Sequence, residues 1–480
     1  MEKRVIKRTR TLRDWLFLFR HFFVFYFVYI FFGGILYFAL PHRTIDPELS
    51  PLVTRDLIGQ SADLDRVVLV DDGEESIAVR IGLIQEAQES IEIAYHSLHS
   101  GVIADVFFAS LLEAADRGVQ VRILMDGIFH RLHGTMRDLR YVLELHPNIE
   151  FRLYEPFNLY KPWTWNNRLH DKIMVVDHEV GLISGRNIGN RYHFSDEATR
   201  KFVFDMDVIV LSADGSNQQS GVRQLGEYFS LLWEHPFTQK MDSRISPRRK
   251  ARAEQRRTEL LDRLEDIRVD FPQYFISATA CLGERSFPTE WIQLIHNPIM
   301  RGKKDPWVWA SLVHLGHEAE KSIVVQSPYI IPTRGMLKYL EGESLAGKEV
   351  LFLTNSLASS PNLFGVAGYK GKRDFLGSWA TEIWEYYGPG SLHGKAMLFD
   401  DDLSAVGSFN MDSRSSFLST ETMLVIRSEE FNGHLREVMR EKARYSQPIL
   451  ASQQTPPAPW PKRLVVRVVS IIARVFDYLL

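Results

Sequence analysis

One short pattern, His-x-Lys-x-x-x-x-Asp, occurs twice in this chain, and the stretches around the two copies match as well. The first copy is His170, Lys172 and Asp177; the second is His393, Lys395 and Asp400. An Asn follows each at the same spacing, Asn187 and Asn410. Upstream, Ala87-Gln-Glu-Ser-Ile-Glu-Ile93 matches Ala319-Glu-Lys-Ser-Ile-Val-Val325, each reading as a helix end that runs into a buried strand. A helical stretch follows in both halves, Val102 to Arg117 and Arg334 to Leu345. Then comes a second apolar strand, Val119 to Met125 and Glu349 to Thr354, with Gly118 and Gly347 as helix stops. Strand-helix-strand units predict an α/β fold of two homologous lobes with mostly parallel sheets. A chain of 480 residues has the length for two such lobes.

Side chains alternate along a strand, so His170 and Lys172 are expected on one face, and His393 and Lys395 on the corresponding face of the other lobe. Residues 173–176 and 396–399 read as the buried continuation. Gly185 with Asn187, and Gly407 with Ser408 and Asn410, follow on a neighbouring turn where small residues allow an anion to approach. A lone match to three fixed residues is weak, and a lone His is most often a satisfied core imidazole. Two copies inside a duplication reverse that reading. Two imidazoles with two ammonium groups are the equipment for phosphodiester chemistry without a metal; no cofactor or metal is expected. Other histidines, such as His130 and His133, read as loop or surface residues.

Both ends of the chain are apolar. Phe22 to Leu40 carries no charge and would span about 28 Å as a helix, close to the hydrocarbon thickness of a bilayer. Lys3, Arg4, Lys7, Arg8, Arg10, Arg13 and Arg20 precede it; only Arg43 and Arg55 follow closely. The bias places the N-terminus in the cytoplasm and the body on the far side of the membrane. A cleaved signal peptide is the alternative, but the run is long and Phe38-Ala-Leu-Pro41 is a poor cleavage site. Near the C-terminus, Arg463, Arg467, Ser470, Arg474 and Asp477 share one helical face and the rest is apolar. Such a helix suits a bilayer interface or a dock on the protein's own core. Pro456, Pro457, Pro459 and Pro461 precede it as a stiff linker.

The segment Arg244 to Arg268 is rich in both signs of charge, so it reads either as a solvated helix or as a contact for anionic lipid or nucleic acid. The net charge of −3 does not favour a nucleic-acid partner. The single cysteine, Cys281, allows no intramolecular disulfide. The resulting division is residues 1–45, basic N-terminus and membrane anchor; 46–240, first lobe; 241–300, charged linker and lead-in; 301–445, second lobe; 446–480, Pro-rich linker and amphipathic helix.

The doubled motif resembles the signature of the phospholipase D superfamily, and the chain is most similar to its bacterial cardiolipin synthases. Leu182-Ile-Ser-Gly-Arg-Asn-Ile-Gly-Asn-Arg-Tyr192, Gly407-Ser-Phe-Asn-Met-Asp-Ser-Arg-Ser-Ser416 and Thr354-Asn-Ser-Leu-Ala-Ser359 support this over roughly residues 60 to 445. Ser419 stands where that branch usually has Asn, Gly394 where Ala is common, and an Asp and a His usual after Ser359 are missing. The resemblance implies two lobes packed about a pseudo-two-fold axis and a phospholipid substrate in a bacterial inner membrane. It implies a phosphohistidine intermediate on His170, with His393 as acid and base. Lys172, Lys395, Asn187, Asn410 and Ser408 would bind the phosphoryl oxygens. Asp205 and Glu421, each leading an apolar strand after its motif, would fix the His tautomers. Asp177 and Asp400 belong to the motif's catalytic set but would act by bracing the fold. The expected reaction is phosphatidyl transfer from a phospholipid such as phosphatidylglycerol to a lipid hydroxyl. Hydrolysis by the same site, a nuclease of the same superfamily and a catalytically inert membrane scaffold are the rivals.

Overall fold

The computed structural model describes residues 12–40, 65–194, 202–212, 217, 219–241, 245–275, 277–340, 345, 347–450 and 460–479. The basic cluster before Leu12, Arg43, Arg55, Arg244 and the prolines at 456, 457 and 459 lie outside the described residues.

The first half of the chain supplies β1 (Arg66–Val70), β2 (Ser90–Tyr95), β3 (Gln120–Asp126), β4 (Ile149–Tyr154), β5 (Arg168–Leu169), β6 (Lys172–Val176), β7 (Val180–Ser184), β8 (Val203–Phe204), β9 (Asp207–Leu211) and β10 (Thr238–Lys240). The second half supplies β11 (Phe287–Pro288), β12 (Trp291–His296), β13 (Ser322–Gln326), β14 (Glu349–Asn355), β15 (Glu382–Tyr386), β16 (Ser391–Leu392), β17 (Ala396–Phe399), β18 (Leu403–Gly407), β19 (Ser419–Thr420), β20 (Thr422–Arg427) and β21 (Ser446–Pro448). One sheet runs β10-β4-β3-β2-β6-β7-β9-β1-β11 and the other β21-β15-β14-β13-β17-β18-β20-β12. Position by position the two orders match, and β11 alone has no counterpart. The duplication seen in the sequence is thus a duplication of topology.

The sheets are mixed rather than mostly parallel. Within these two sheets β2-β3-β4 and β13-β14-β15 run parallel and the other pairings are antiparallel. Strand-helix-strand crossovers exist only in those triplets. From the motif strand onward the chain turns back on itself directly, β6 into β7 and β17 into β18. The turn residues Asp177 and Asp400 take left-handed backbone conformations, φ 51° and 53°, which Asp tolerates better than most residues. Gly118 and Gly347, at φ 105° and 86°, stop the segments before β3 and β14. The helix expected over 334–345 is described only as Arg334–Leu337.

Asp177 and Asp400 do not reach the histidines. Each sits at the far end of its motif strand, about 16 Å from the Lys at the other end. There the Asp177 carboxylate accepts the backbone N–H groups of Gln88, Glu89 and Ser90 at 2.7–2.8 Å. Asp400 accepts those of Glu320, Lys321 and Ser322 at 2.7–3.0 Å. Both pin the entry to the first parallel strand. Asp177→Ala is therefore expected to cost about 2–4 kcal/mol of stability, three lost hydrogen bonds plus Ala at positive φ, read as a lowered Tm. Turnover per folded molecule should be unaltered.

The helix Leu12–Gly34 continues into a short 3-10 turn, Leu36–Ala39. It is the one helix among the described residues long and apolar enough to cross a membrane. Its end is built into the body. Phe38 is buried in the second lobe's core with Trp309 and Phe409. Tyr26 and Tyr29 donate their hydroxyls to the carbonyls of Leu159 and Tyr160, at 3.0 and 2.6 Å, and Asn166 donates to the carbonyl of Gly34 at 2.9 Å. Gly33 lies where a Cβ would come within 2.8 Å of Pro162.

The charged segment is one helix, Pro247–Asp270, and neither fully solvated nor free for a partner. Ala253, Leu260 and Leu264 are buried against the first lobe. Arg252, Arg256, Arg257 and Arg268 pair with Asp138, Asp105, Asp116 and Glu113 of that lobe. The C-terminal helix, Trp460–Val475, docks by Val466 against Ala367 and leaves Trp460, Leu464, Val465 and Val468 exposed.

Candidate active site

The two motifs meet at the seam between the lobes, and short strands crossing that seam place them. β5, just before His170, pairs with β19, just before Glu421. β16, just before His393, pairs with β8, just before Asp205. Each chain then re-enters its own sheet, at Lys172 in β6 and after Lys395 in β17. The histidines therefore sit in breaks, not inside continuous strands. The cause is that the residues before them are claimed by the other lobe.

This crossing pairs each His with a carboxylate of the opposite half. Nδ1 of His170 lies 2.9 and 3.0 Å from the two oxygens of Glu421. Nδ1 of His393 lies 2.5 Å from Oδ2 of Asp205. The Lys395 ammonium is also 2.7 Å from that nitrogen, which has a single hydrogen to give; the shorter carboxylate contact takes it. Lys172 and Lys395, both buried, donate to the backbone carbonyls of His170 and His393. With Nδ1–H donated to a carboxylate, Nε2 of each ring keeps its lone pair.

Burial dominates the electrostatics. It pushes His170 well below the usual imidazole range, helped by Lys172 and Lys395. It pushes His393 down to about 4, helped by Lys395 and opposed by Asp205. Both shifts favour the neutral imidazole. The two carboxylates diverge. Burial raises Glu421 to about 7 against the pull of Lys172. At Asp205 burial is outweighed by Lys395 and His393, which hold it at about 2. Burial also lowers Lys172 to about 8 and Lys395 to about 7. Above these values the ammonium groups lose their protons and their attraction for an anion. The alkaline limb of kcat/KM is thus expected near pH 7–8. Lys395→Arg, whose guanidinium stays charged, should move that limb upward in a pH-rate profile.

Ser408, expected to bind phosphate, instead gives its hydroxyl hydrogen to Glu421 at 2.5 Å. Its counterpart is Gly185, where a Cβ would lie 2.1 Å from Asp205, so the shorter carboxylate reaches its place only because no side chain is there. Asn187 donates to Tyr192 at 3.1 Å. The amide oxygens of Asn187 and Asn410 are buried without a hydrogen-bond partner among the described residues.

Several residues at the site escaped the sequence reading. Asp126 accepts the N–H of Leu169 at 3.0 Å, and Asn355 accepts that of Leu392 at 2.9 Å; each fixes the residue before a His. They end the equivalent strands β3 and β14, so aligning the repeats would have found them. Thr420 ties the site to its frame: its Oγ1 accepts from the N–H of His170 at 3.1 Å and its hydrogen goes to buried Asp171. His96 packs edge-on against His170, ring centres 4.9 Å apart, and Tyr192 does so against His393 at 5.9 Å. These two have no repeat partner and no sequence signal.

A duplicated mixed sheet with two His–carboxylate pairs and two buried lysines on its seam defines an enzyme of the phospholipase D superfamily. The family model described as cardiolipin synthase, PLD-like domain, matches residues 81–233 and 312–442, more than half of the chain. The protein belongs to that family. Among curated relatives, cardiolipin synthase C of Escherichia coli is 27% identical over 390 residues, covering 74% of this chain and 80% of that protein. An uncharacterized protein of Helicobacter pylori is 25% identical over 441 residues, 84% of each. Phosphatidylserine synthase of Haemophilus influenzae shares the fold, with a TM-score of 0.61 at 14% identity over 89% of this chain and 98% of that one.

Proposed function

We propose that the protein is a membrane-anchored phosphatidyltransferase that moves a phosphatidyl group from phosphatidylglycerol to a lipid hydroxyl. The observation that carries this is the union of anchor and site. The membrane helix is seated on the segment 159–166, which leads directly into β5 and His170. A site held there meets lipid phosphodiesters first.

In this reading Nε2 of neutral His170 attacks phosphorus, the P–O bond to glycerol breaks, and His393 protonates the departing oxygen. His393 then takes the proton of the acceptor hydroxyl as that oxygen displaces the phosphohistidine. The divergent carboxylates support the order. Asp205 stays ionised and stabilises His393 as imidazolium once an anionic substrate enters. Glu421, poised near neutrality, holds His170 in its tautomer without forcing a charge on it. Lys172 and Lys395, with Asn187 and Asn410, face the phosphoryl oxygens as negative charge builds there.

Detergent-purified protein incubated with phosphatidylglycerol and a chelator should yield cardiolipin and glycerol. Phosphatidic acid as the sole product would overturn transfer in favour of hydrolysis. The positive residues before the anchor favour a cytoplasmic N-terminus and an extracytoplasmic body. The single cysteine, Cys281, is exposed on the body. An impermeant maleimide should label it from outside in spheroplasts; labelling only after lysis would refute this orientation.

A further inference from the structure

A cavity of about 560 Å³ lies where the membrane helix, the second lobe and the C-terminus converge. It is lined by Ala39 at the end of the anchor, by Lys303, Arg334 and Lys372, and by Asp477 near the C-terminus. Three cations face one carboxylate. Lys372 is 3.7 Å from Asp477. Arg334 is exposed and has no ion pair or hydrogen bond among the described residues. Lys303 is half-buried, and its ammonium stands over the Phe417 ring at 4.9 Å with no carboxylate within ion-pair distance among the described residues. Burial and Lys338 both work against its charge, with only Asp477 opposing. The floor is kept low by Gly335, Gly368 and Gly371; nothing lies within 4 Å of a Cβ at Gly371.

None of the groups assigned to the chemistry lines this cavity. We propose that it is a second anion site, which binds the phosphate of an anionic phospholipid headgroup. The chemistry alone would also admit soluble phosphate. Position argues for the lipid. Ala39 ends the apolar run long enough to cross a membrane, so the cavity lies where the proposed anchor joins the body, on the side of the protein nearest the bilayer. The helix Trp460–Val475 packs by Val466 against Ala367 of the cavity wall and exposes Trp460, Leu464, Val465 and Val468 along its length, an apolar surface of the kind that lies in a bilayer interface. The volume suits a phosphoglycerol headgroup. An anion there would bridge three elements that otherwise repel: the segment after β12, the turn at Arg334 and the helix Leu363–Leu376.

The test counts bound lipid without turnover, so its result is separate from that of the transfer reaction. Full-length protein carrying His170→Ala and His393→Ala is titrated with dihexanoyl phosphatidylglycerol and followed by native mass spectrometry. The cleft has room to fill with donor and acceptor, so the molecule bound here is expected as one beyond those the cleft holds. Adding Lys303→Gln and Arg334→Gln should remove that one molecule or weaken it at least about tenfold, since charge-assisted hydrogen bonds to phosphate are lost. Arg334→Lys with Lys303 intact should restore most of it, which guards against simple misfolding. Unchanged stoichiometry and affinity in the double Gln variant would overturn the site. Equal displacement by millimolar inorganic phosphate would overturn the lipid as its source, while weak binding of dihexanoyl phosphatidylcholine would support an anionic headgroup.

Discussion

His170→Ala is expected to lower kcat by about four orders of magnitude and to leave no phosphorylated protein when the reaction is quenched in alkali. The ring is the nucleophile in the proposed order. His96, edge-on at 4.9 Å, has its Nδ1 on the carbonyl of Leu169 at 2.7 Å and so lacks the carboxylate that Glu421 offers His170. His393→Ala should also cost turnover heavily, but with a different signature. The first displacement loses its acid and the second its base, so both slow, but His170 can still form the covalent bond and labelled protein should be detectable. Labelling of the His170→Ala protein at His393 would reverse the two roles.

The second large effect is expected at Asp205. Asp205→Asn keeps the shape but removes the negative charge that His393 needs as imidazolium, and its amide can hold the ring in the wrong tautomer. A loss of about 10³–10⁴ in kcat follows from comparable pairs. Glu421→Gln should cost less, about 10²-fold, because burial already holds Glu421 near neutrality and His170 acts as a neutral ring. Steady-state kinetics of the two variants side by side checks this. Equal losses would show that the two carboxylates are interchangeable and that the asymmetry of their surroundings has no chemical consequence.

Much of the site could be read in the sequence because the repeat made each residue evidence for another. The two His-Lys pairs, the two Asn residues and the two carboxylates all come in matched positions. What could not be read was which half each belongs to. The contacts His170–Glu421 and His393–Asp205 join residues 251 and 188 positions apart, and periodicity along a strand carries no information at that range. The same gap explains the misplaced strand face. Arg168 and Leu169 look like the start of β6 and are instead the partner of Ser419 and Thr420. The crossover helices are the loudest signal in the sequence and imply mostly parallel sheets, whereas the reversals at Asp177 and Asp400 are turns with no Gly or Pro to mark them. Ser408 has the composition of a phosphate-binding turn, and only its distance to Glu421 reveals another use.

Phe38 gives the anchor a mechanical meaning. A helix joined to its cargo by a loose cord lets that cargo tumble above the membrane. Here the end of the helix is a peg driven into one lobe while its flank rests on the other, so in the proposed anchoring tilt in the bilayer would become tilt of the cleft. The mouth would then keep one height and one heading over the leaflet, and lipids would arrive by sliding sideways rather than by being lifted out. A foreign hydrophobic helix in place of this one would keep the protein on the membrane yet leave it without a bearing.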